Sequence, residues 1–228
     1  MTRKTYSNLL AIDTSSRRLL LGLSFGGDRL VKSDEAVEQS HGQLLIKKIA
    51  ALFSSAGLGP GDLDGIVACT GPGSFTGLRI GLAAAKGMAV ATAIDVVGVS
   101  LFETAAHRLS DVDGTVIVVV PLRRGEYAVG QVGGGRHLEE NLRVASDGEL
   151  EELLAGSRVA TYHMSLESGL AKAVRDDLSS KARFDAADLI AVGREKLLLG
   201  KADELTALEP LYIQKSQAEI KFERRKRK

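Results

Sequence analysis

Tryptophan is absent from this 228-residue chain, cysteine occurs once, and aromatic residues make up only 4% of it. The core must therefore be built from aliphatic side chains. A single cysteine excludes an internal disulfide and a thiolate cluster for zinc, and favours a reducing compartment. Cys69 ends the apolar run Ile66, Val67, Ala68 and reads as a core residue. No apolar run approaches the ~20 residues of a membrane span. The opening MTRKTYSNLLAIDTSS holds only a four-residue apolar stretch, too short for a signal-peptide core. A soluble cytoplasmic protein with no membrane contact is the expectation. The formal charge of +1 excludes a broad basic field, so any contact with nucleic acid has to be local. Histidine is thin too: His41, His107, His137 and His163 form no HxxxH or HExxH pair, and no metal site is expected. No GxSxG elbow or Cys-His pair suggests covalent hydrolysis.

What the chain does have is glycine, 25 residues of it, within a globular balance of 44% hydrophobic and 26% charged residues. Tight turns and aliphatic runs together suit an α/β fold of two lobes. Leu9 to Ile12 predicts a short strand ending in the polar cluster Asp13, Thr14, Ser15, Ser16, and Arg18 to Phe25 and Arg29 to Ser33 continue an antiparallel meander around Gly26-Gly27-Asp28. His41 to Ala56 carries Leu44, Leu45, Lys48, Ile49 and Leu52 at helical spacing. A buried strand, Gly65 to Thr70, leads through a glycine loop into a helix, Leu78 to Thr92, and Val96 to Val99 predicts a fifth strand. The second half repeats the plan in shorter form. A strand from Thr115 breaks at Pro121, a hairpin follows across Gly133 to Gly135, then a helix from Gly148 to Leu154, a strand near Val159 to Tyr162 and a helix from Leu166 to Leu178. Such a duplication belongs to the two-lobed actin-like (ribonuclease H-like) group. The expected lobes are residues 1–105 and 106–228, with a closing segment from Ala186 returning to the first.

Two stretches could carry chemistry. In DTSS, a carboxylate followed by hydroxyls at a strand end can hold a metal-bound water and a phosphate, so Asp13, Thr14 and Ser15 form a candidate phosphate turn; a plain Asx or Ser/Thr turn is the alternative. The matching turn of the second half reads VVPLRRG, where Pro121 stands in place of a carboxylate, and the strand end VATYHMSLESG crowds the adenosine side with Tyr162 and His163. Both features weaken a kinase or ATPase reading.

The other stretch is CTGPGSFTGLRIG, residues 69 to 81. Gly71, Gly73 and Gly77 are spaced G-x-G-x-x-x-G, which fails the dinucleotide fingerprint, and Leu78 after Gly77 fails the Walker loop. What remains is a stiffened turn and a helix start capped by Ser74 or Thr76, whose free amides could attract an anion. Along that helix small residues recur four apart, Gly77 with Gly81 and Ala83 with Gly87. Leu78, Leu82, Ala85 and Ala89 form one stripe, and Ile80, Ala84, Gly87 and Ala91 another. Two stripes suit burial against the sheet and against a second body, or a helix wedged within its own lobe. The tail KFERRKRK, residues 221–228, reads either as a solvated terminus or as a contact to RNA phosphate.

The segments LAIDTSS, SHGQLLIKKI, GIVACTGPGSFTGLRIGLAAAKGMA and VVGVS together resemble the TsaB family, also called YeaZ, of the bacterial machinery that makes threonylcarbamoyladenosine in tRNA. RRGEY and EPLYIQKSQAE are similar to later family segments. The resemblance implies an actin-like fold and a non-catalytic partner of the paralogue TsaD, joined by the ATPase TsaE, with tRNA bound through the complex and a second copy of the chain, as a homodimer, the alternative partner for the same helices. No cofactor is expected in this chain, ATP or ADP at a partner interface being left open. The superfamily's older glycoprotease label would need a hydrolytic site, and the alternative reading is an active actin-fold phosphotransferase or hydrolase, glycoprotease-like activity included, using the Asp13 turn. Where TsaD carries a metal-binding segment, this chain reads SLFETA, with Leu101 and Ala105 at the two histidine positions, and Gln214 replaces an arginine frequent in the family. The implied partner interface uses the first lobe's two helices. Its candidates are His41, Leu44, Leu45, Lys48, Leu78, Arg79, Gly81, Leu82, Ala85 and Lys86, with the glycines of the loop as spacing for a partner helix.

Overall fold

The computed structural model describes residues 5–37, 41–123, 125–134, 136–162, 164–165 and 168–213, without the side chains of residues 41, 137–140 and 168–170. His163, Gln214 and the tail 221–228 lie outside the described residues, as does the side chain of His41.

Short, nearly continuous apolar runs in the first hundred residues build a five-stranded sheet. Strands β1 (Leu9–Asp13), β2 (Arg18–Phe25) and β3 (Arg29–Ala36) form the antiparallel meander, helix α1 (His41–Ala56) crosses over, and β4 (Gly65–Gly71), α2 (Phe75–Thr92) and β5 (Asp95–Ser100) follow. The order across the sheet is β3-β2-β1-β4-β5, with β1, β4 and β5 parallel. After α3 (Leu101–Arg108), strands β6 (Thr115–Arg123), β7 (Glu126–Gly133) and β8 (Arg136–Ser146), helix α4 (Asp147–Leu154), β9 (Arg158–Thr161), the short α5 (Ser168–Ala173) and β10 (Asp176–Asp177) repeat the sequence of elements, and α6 (Ala186–Leu198) closes it. The second sheet runs β8-β7-β6-β9-β10, the same order position for position. The copy is therefore complete in topology, although β10 has only two residues. A duplicated sheet of this order is the two-lobed actin-like fold.

Three local readings change. β6 does not break at Pro121: the strand continues to Arg123, with Pro121 opposite Tyr127 and a register shift just beyond it. Proline is accommodated in a strand at such an irregularity, where its missing N–H leaves no ladder partner wanting. The helix expected over residues 166–178 ends at Ala173, because Asp176 and Asp177 pair with β9. Finally, the spacing missed α3, whose start is a capping box: the Ser100 hydroxyl accepts from Glu103 N at 3.1 Å and Glu103 Oε2 from Ser100 N at 2.7 Å.

Near-continuous burial along the central strands gives each sheet two apolar faces. Leu10 and Ile12 of β1 with Ile66 and Ala68 of β4 pack under α1 and α2, while Leu9, Ala11, Val67 and Val97 face the opposite way. That inner face meets Val116, Val118 and Val120 of β6 together with α3 and α6, so a single core joins the lobes. α6 packs on β1 and β5 of the first sheet, and α3 on β7 and β8 of the second. Lys196 of α6 ties the two helices, reaching Gly98 O at 2.6 Å and Glu103 Oε1 at 2.9 Å. No helix among the described residues is long and apolar enough to cross a membrane.

Candidate functional site

β1 delivers Asp13 to the seam between the lobes, where the chain turns sharply into β2. Asp13 Oδ1 accepts from Ser15 N at 2.7 Å, an Asx turn. Its other oxygen, Oδ2, accepts from the Tyr162 phenol at 2.6 Å. Tyr162 follows β9 of the second lobe, is buried, and stacks on Phe184 with ring centroids 5.3 Å apart. Burial and then the adjacent Asp13 charge push the Tyr162 phenol well above its ordinary range, so it stays a donor. Asp13 itself is only 3% exposed. Both carboxylate oxygens thus serve the chain's own groups.

The glycine loop is built around the same turn. Ser74 N donates to Ser15 O at 2.6 Å, and the Thr14 hydroxyl donates to Gly77 O at 2.7 Å. A Cβ on Gly73 would fall on the Ser15 carbonyl, one on Gly77 on the Thr14 carbonyl, and one on Gly81 on the Thr14 hydroxyl, each well inside van der Waals contact. The spacing of these glycines lets α2 seat against the DTSS turn of its own lobe, which corrects the expectation that it serves a partner helix. Gly71 is buried with φ +96°, and its bond to Pro72 is cis. Ser74 is the cap, its hydroxyl accepting from Gly77 N at 3.2 Å, while Thr76 is exposed within the first turn.

Burial also divides the proposed interface residues. Leu45, Leu78, Gly81, Leu82 and Ala85 lie in the core under the helices, so they are unavailable to a partner, and that part of the expectation is corrected. Leu44 and Lys86 are half-buried at the edge, and Lys48 is engaged with Glu35 at 2.5 Å. Arg79 is exposed. The exposed residues of the helix pair include instead Ile46, 58% exposed, and Ala50 on α1, beside the polar Gln43, Lys47 and Ser54 of the same helix, with Ala83, Gly87 and Val90, 68% exposed, on α2. A Cβ on Gly87 would meet nothing within 4 Å. The stripe of Ala83 and Gly87 was legible as small residues at helical spacing. Which of the two small-residue pairs faced outward was not.

A model of the family described as TsaD, tRNA N6-adenosine threonylcarbamoyltransferase, matches residues 34–152, just over half of the chain. The tRNA threonylcarbamoyladenosine biosynthesis protein TsaB of Bacillus subtilis (strain 168) is 26% identical over 226 residues, 94% of this chain and 97% of that protein. TsaB of Escherichia coli (strain K12) is 25% identical over 92% of this chain and 96% of its own length. Among solved structures, YeaZ from Pseudomonas aeruginosa superimposes with a TM-score of 0.67 over 90% of this chain and 99% of that one, at 22% identity, which bears on the fold. With the actin-like duplication and the glycine loop seated on its DTSS turn, these matches place the chain in the TsaB (YeaZ) family.

Proposed function

We propose that this chain is a non-catalytic scaffold subunit that pairs with a TsaD-type paralogue and supports formation of N6-threonylcarbamoyladenosine in tRNA. The observation that carries this reading is the outer face of α1 and α2, where Ile46, Ala50, Ala83, Gly87 and Val90 leave apolar and small side chains open to solvent. Small residues let a second helix approach closely, and exposed aliphatic side chains supply area to bury. The engagement of Asp13 by Tyr162 supports the non-catalytic half of the reading. The names of the relatives supply the reaction.

Copurification of the full chain with a TsaD-type partner tests the pairing. Gly87→Arg and Val90→Glu change the outer face without touching the core and are expected to abolish it; normal pairing by both variants sinks the proposed face. A second copy of this chain is the competing occupant, seen as a dimer by sedimentation that the same variants dissociate. Asp13→Asn preserves shape and removes charge. It is expected to keep full activity in the reconstituted reaction, whereas a loss with unchanged folding would restore the enzyme reading.

A further inference from the structure

Charge of one sign sets α1 and α2 apart from the rest of the chain. The two helices hold 16 and 18 residues, among them Lys47, Lys48, Arg79 and Lys86, and no aspartate or glutamate, although the chain has 29 acids. An acid in the first turn of a helix meets the positive end of the macrodipole and is favoured there. α3, α4 and α6 use this, with Glu103, with Asp147 and Glu149, and with Asp188, whereas α1 and α2 have no acid in the first turn. Acids are therefore missing from these two helices even where local physics would welcome them.

Three of the four cations are also uncommitted. Lys48 pairs with Glu35 of β3. Lys47 is exposed and Lys86 half-buried, and among the described residues neither meets an acid. Arg79 is exposed, its guanidinium 4.0 Å from the Phe75 ring centroid and its Nε donating to the Tyr212 hydroxyl at 3.3 Å, contacts that fix its place without neutralising it. Nearby acids outside the helices serve the chain itself: Asp62 accepts from Gly59 N at 2.8 Å, Asp64 from Asn8 N at 2.7 Å, and Asp95 from the Tyr6 phenol.

This charge pattern discriminates among occupants of the face. A second copy packing through it would form an isologous interface and bring two sets of the same three cations together, which opposes pairing. An RNA backbone would satisfy the cations but leave Ile46 and Val90, 58% and 68% exposed, with nothing apolar to bury against. A protein surface that is aliphatic at its centre and acidic around it satisfies both.

We propose that Lys47, Arg79 and Lys86 select the occupant of the α1 and α2 face: a different protein whose docking helices set carboxylates around a small-residue, aliphatic centre, and not a second copy of this chain. The proposal rests on the scaffold reading above and names the surface chemistry that its partner must have. The test joins Lys47→Gln with Lys86→Gln, which removes two charges and keeps long side chains that suit a helix. Arg79 stays in place because it also holds Phe75 and Tyr212. In sedimentation of the full chain at ~50 mM salt, the double variant should bind the TsaD-type partner about tenfold more weakly than wild type and self-associate about tenfold more tightly. Both differences should close at ~0.5 M salt, where screening is short-ranged.

Opposite signs are the signature of selection, since specificity is a difference between two affinities. Affinities that stay unchanged overturn the proposal, and so do affinities that move in the same direction, which would make the lysines structural. Weaker binding of a labelled RNA hairpin by the double variant, at unchanged partner affinity, also overturns it and assigns the cations to phosphates. If the wild-type chain pairs with no TsaD-type protein, the scaffold reading falls, while self-association, which needs no partner, still decides whether the charges reject a second copy. If pairing is intact and indifferent to salt in both forms, charge selection falls and the scaffold reading stands.

Discussion

Tyr162 and Asp13, 149 positions apart and one from each lobe, share a buried 2.6 Å hydrogen bond in which the phenol donates to Oδ2. The pair joins the two lobes through the chain's own groups. The seam between the lobes becomes a packed joint.

Removing the phenol with Tyr162→Phe leaves a buried carboxylate short of one donor. A hydrogen bond to a charged group contributes about 1.5–3 kcal/mol, and a loss of that order is expected in chemical denaturation. In the double variant with Asp13→Asn the cost of Tyr162→Phe should shrink, since the charge needing the donor is gone. Equal costs in both backgrounds would show that the bond does not couple the lobes.

Gly81 and Gly87 sit on one helix and should respond to alanine in opposite ways. Gly81→Ala drives a methyl onto the Thr14 hydroxyl, with an expected cost of about 1–3 kcal/mol from overpacking. Gly87→Ala meets open space and should stabilise the helix by about 0.5–1 kcal/mol. Thermal melts of the two variants check both signs.

Glu103 supplies a pH signature. Burial alone would raise its pKa, but the Ser100 N–H and the Lys196 ammonium outweigh that and hold it below the ordinary carboxylate range. The folded pKa lies under the unfolded one, so the stabilisation is fully present above the unfolded value, near pH ~4.3, and is lost as pH falls through the folded value. Glu103→Gln should lower stability near neutral pH, and the gap from wild type should close on acidification. A gap independent of pH would mean that the charge is not the stabilising element.

Cys69 should be inert in the native protein. Burial, and then the nearby Asp13 charge, push its thiol well above the ordinary range, and the thiolate is the reactive form. A thiol-specific reagent should label it only on unfolding; rapid labelling of native protein would show that the joint opens.

Much of the architecture follows from local pattern. Short apolar runs bounded by turn residues delimit the strands of the first sheet, helical spacing delimits α1 and most of α2, and the repeat of both in the second half announces a duplication. These signals survive in one dimension because each strand or helix writes its own burial period. The failures were also local in cause: Pro121 was read as a breaker although pairing to β7 carries the strand past it, and the SLFE capping box that starts α3 went unused.

The sequence by itself determined the fold class, the family and the shortage of chemistry-bearing groups, because these depend on residue types and on spacings along the chain. Tertiary structure alone decided what the conspicuous residues do. Gly77 and Gly81 look alike with Ala83 and Gly87 as small residues four apart, yet the first pair is pressed against Thr14 and the second faces solvent, since helix rotation is set by the sheet beneath. Phe75 and Arg79 are neighbours by helical spacing, but Tyr212 joins them from 133 residues beyond Arg79. Asp13 meets Tyr162 only in the folded chain, for a hydrogen bond between lobes leaves no trace in the spacing of either strand.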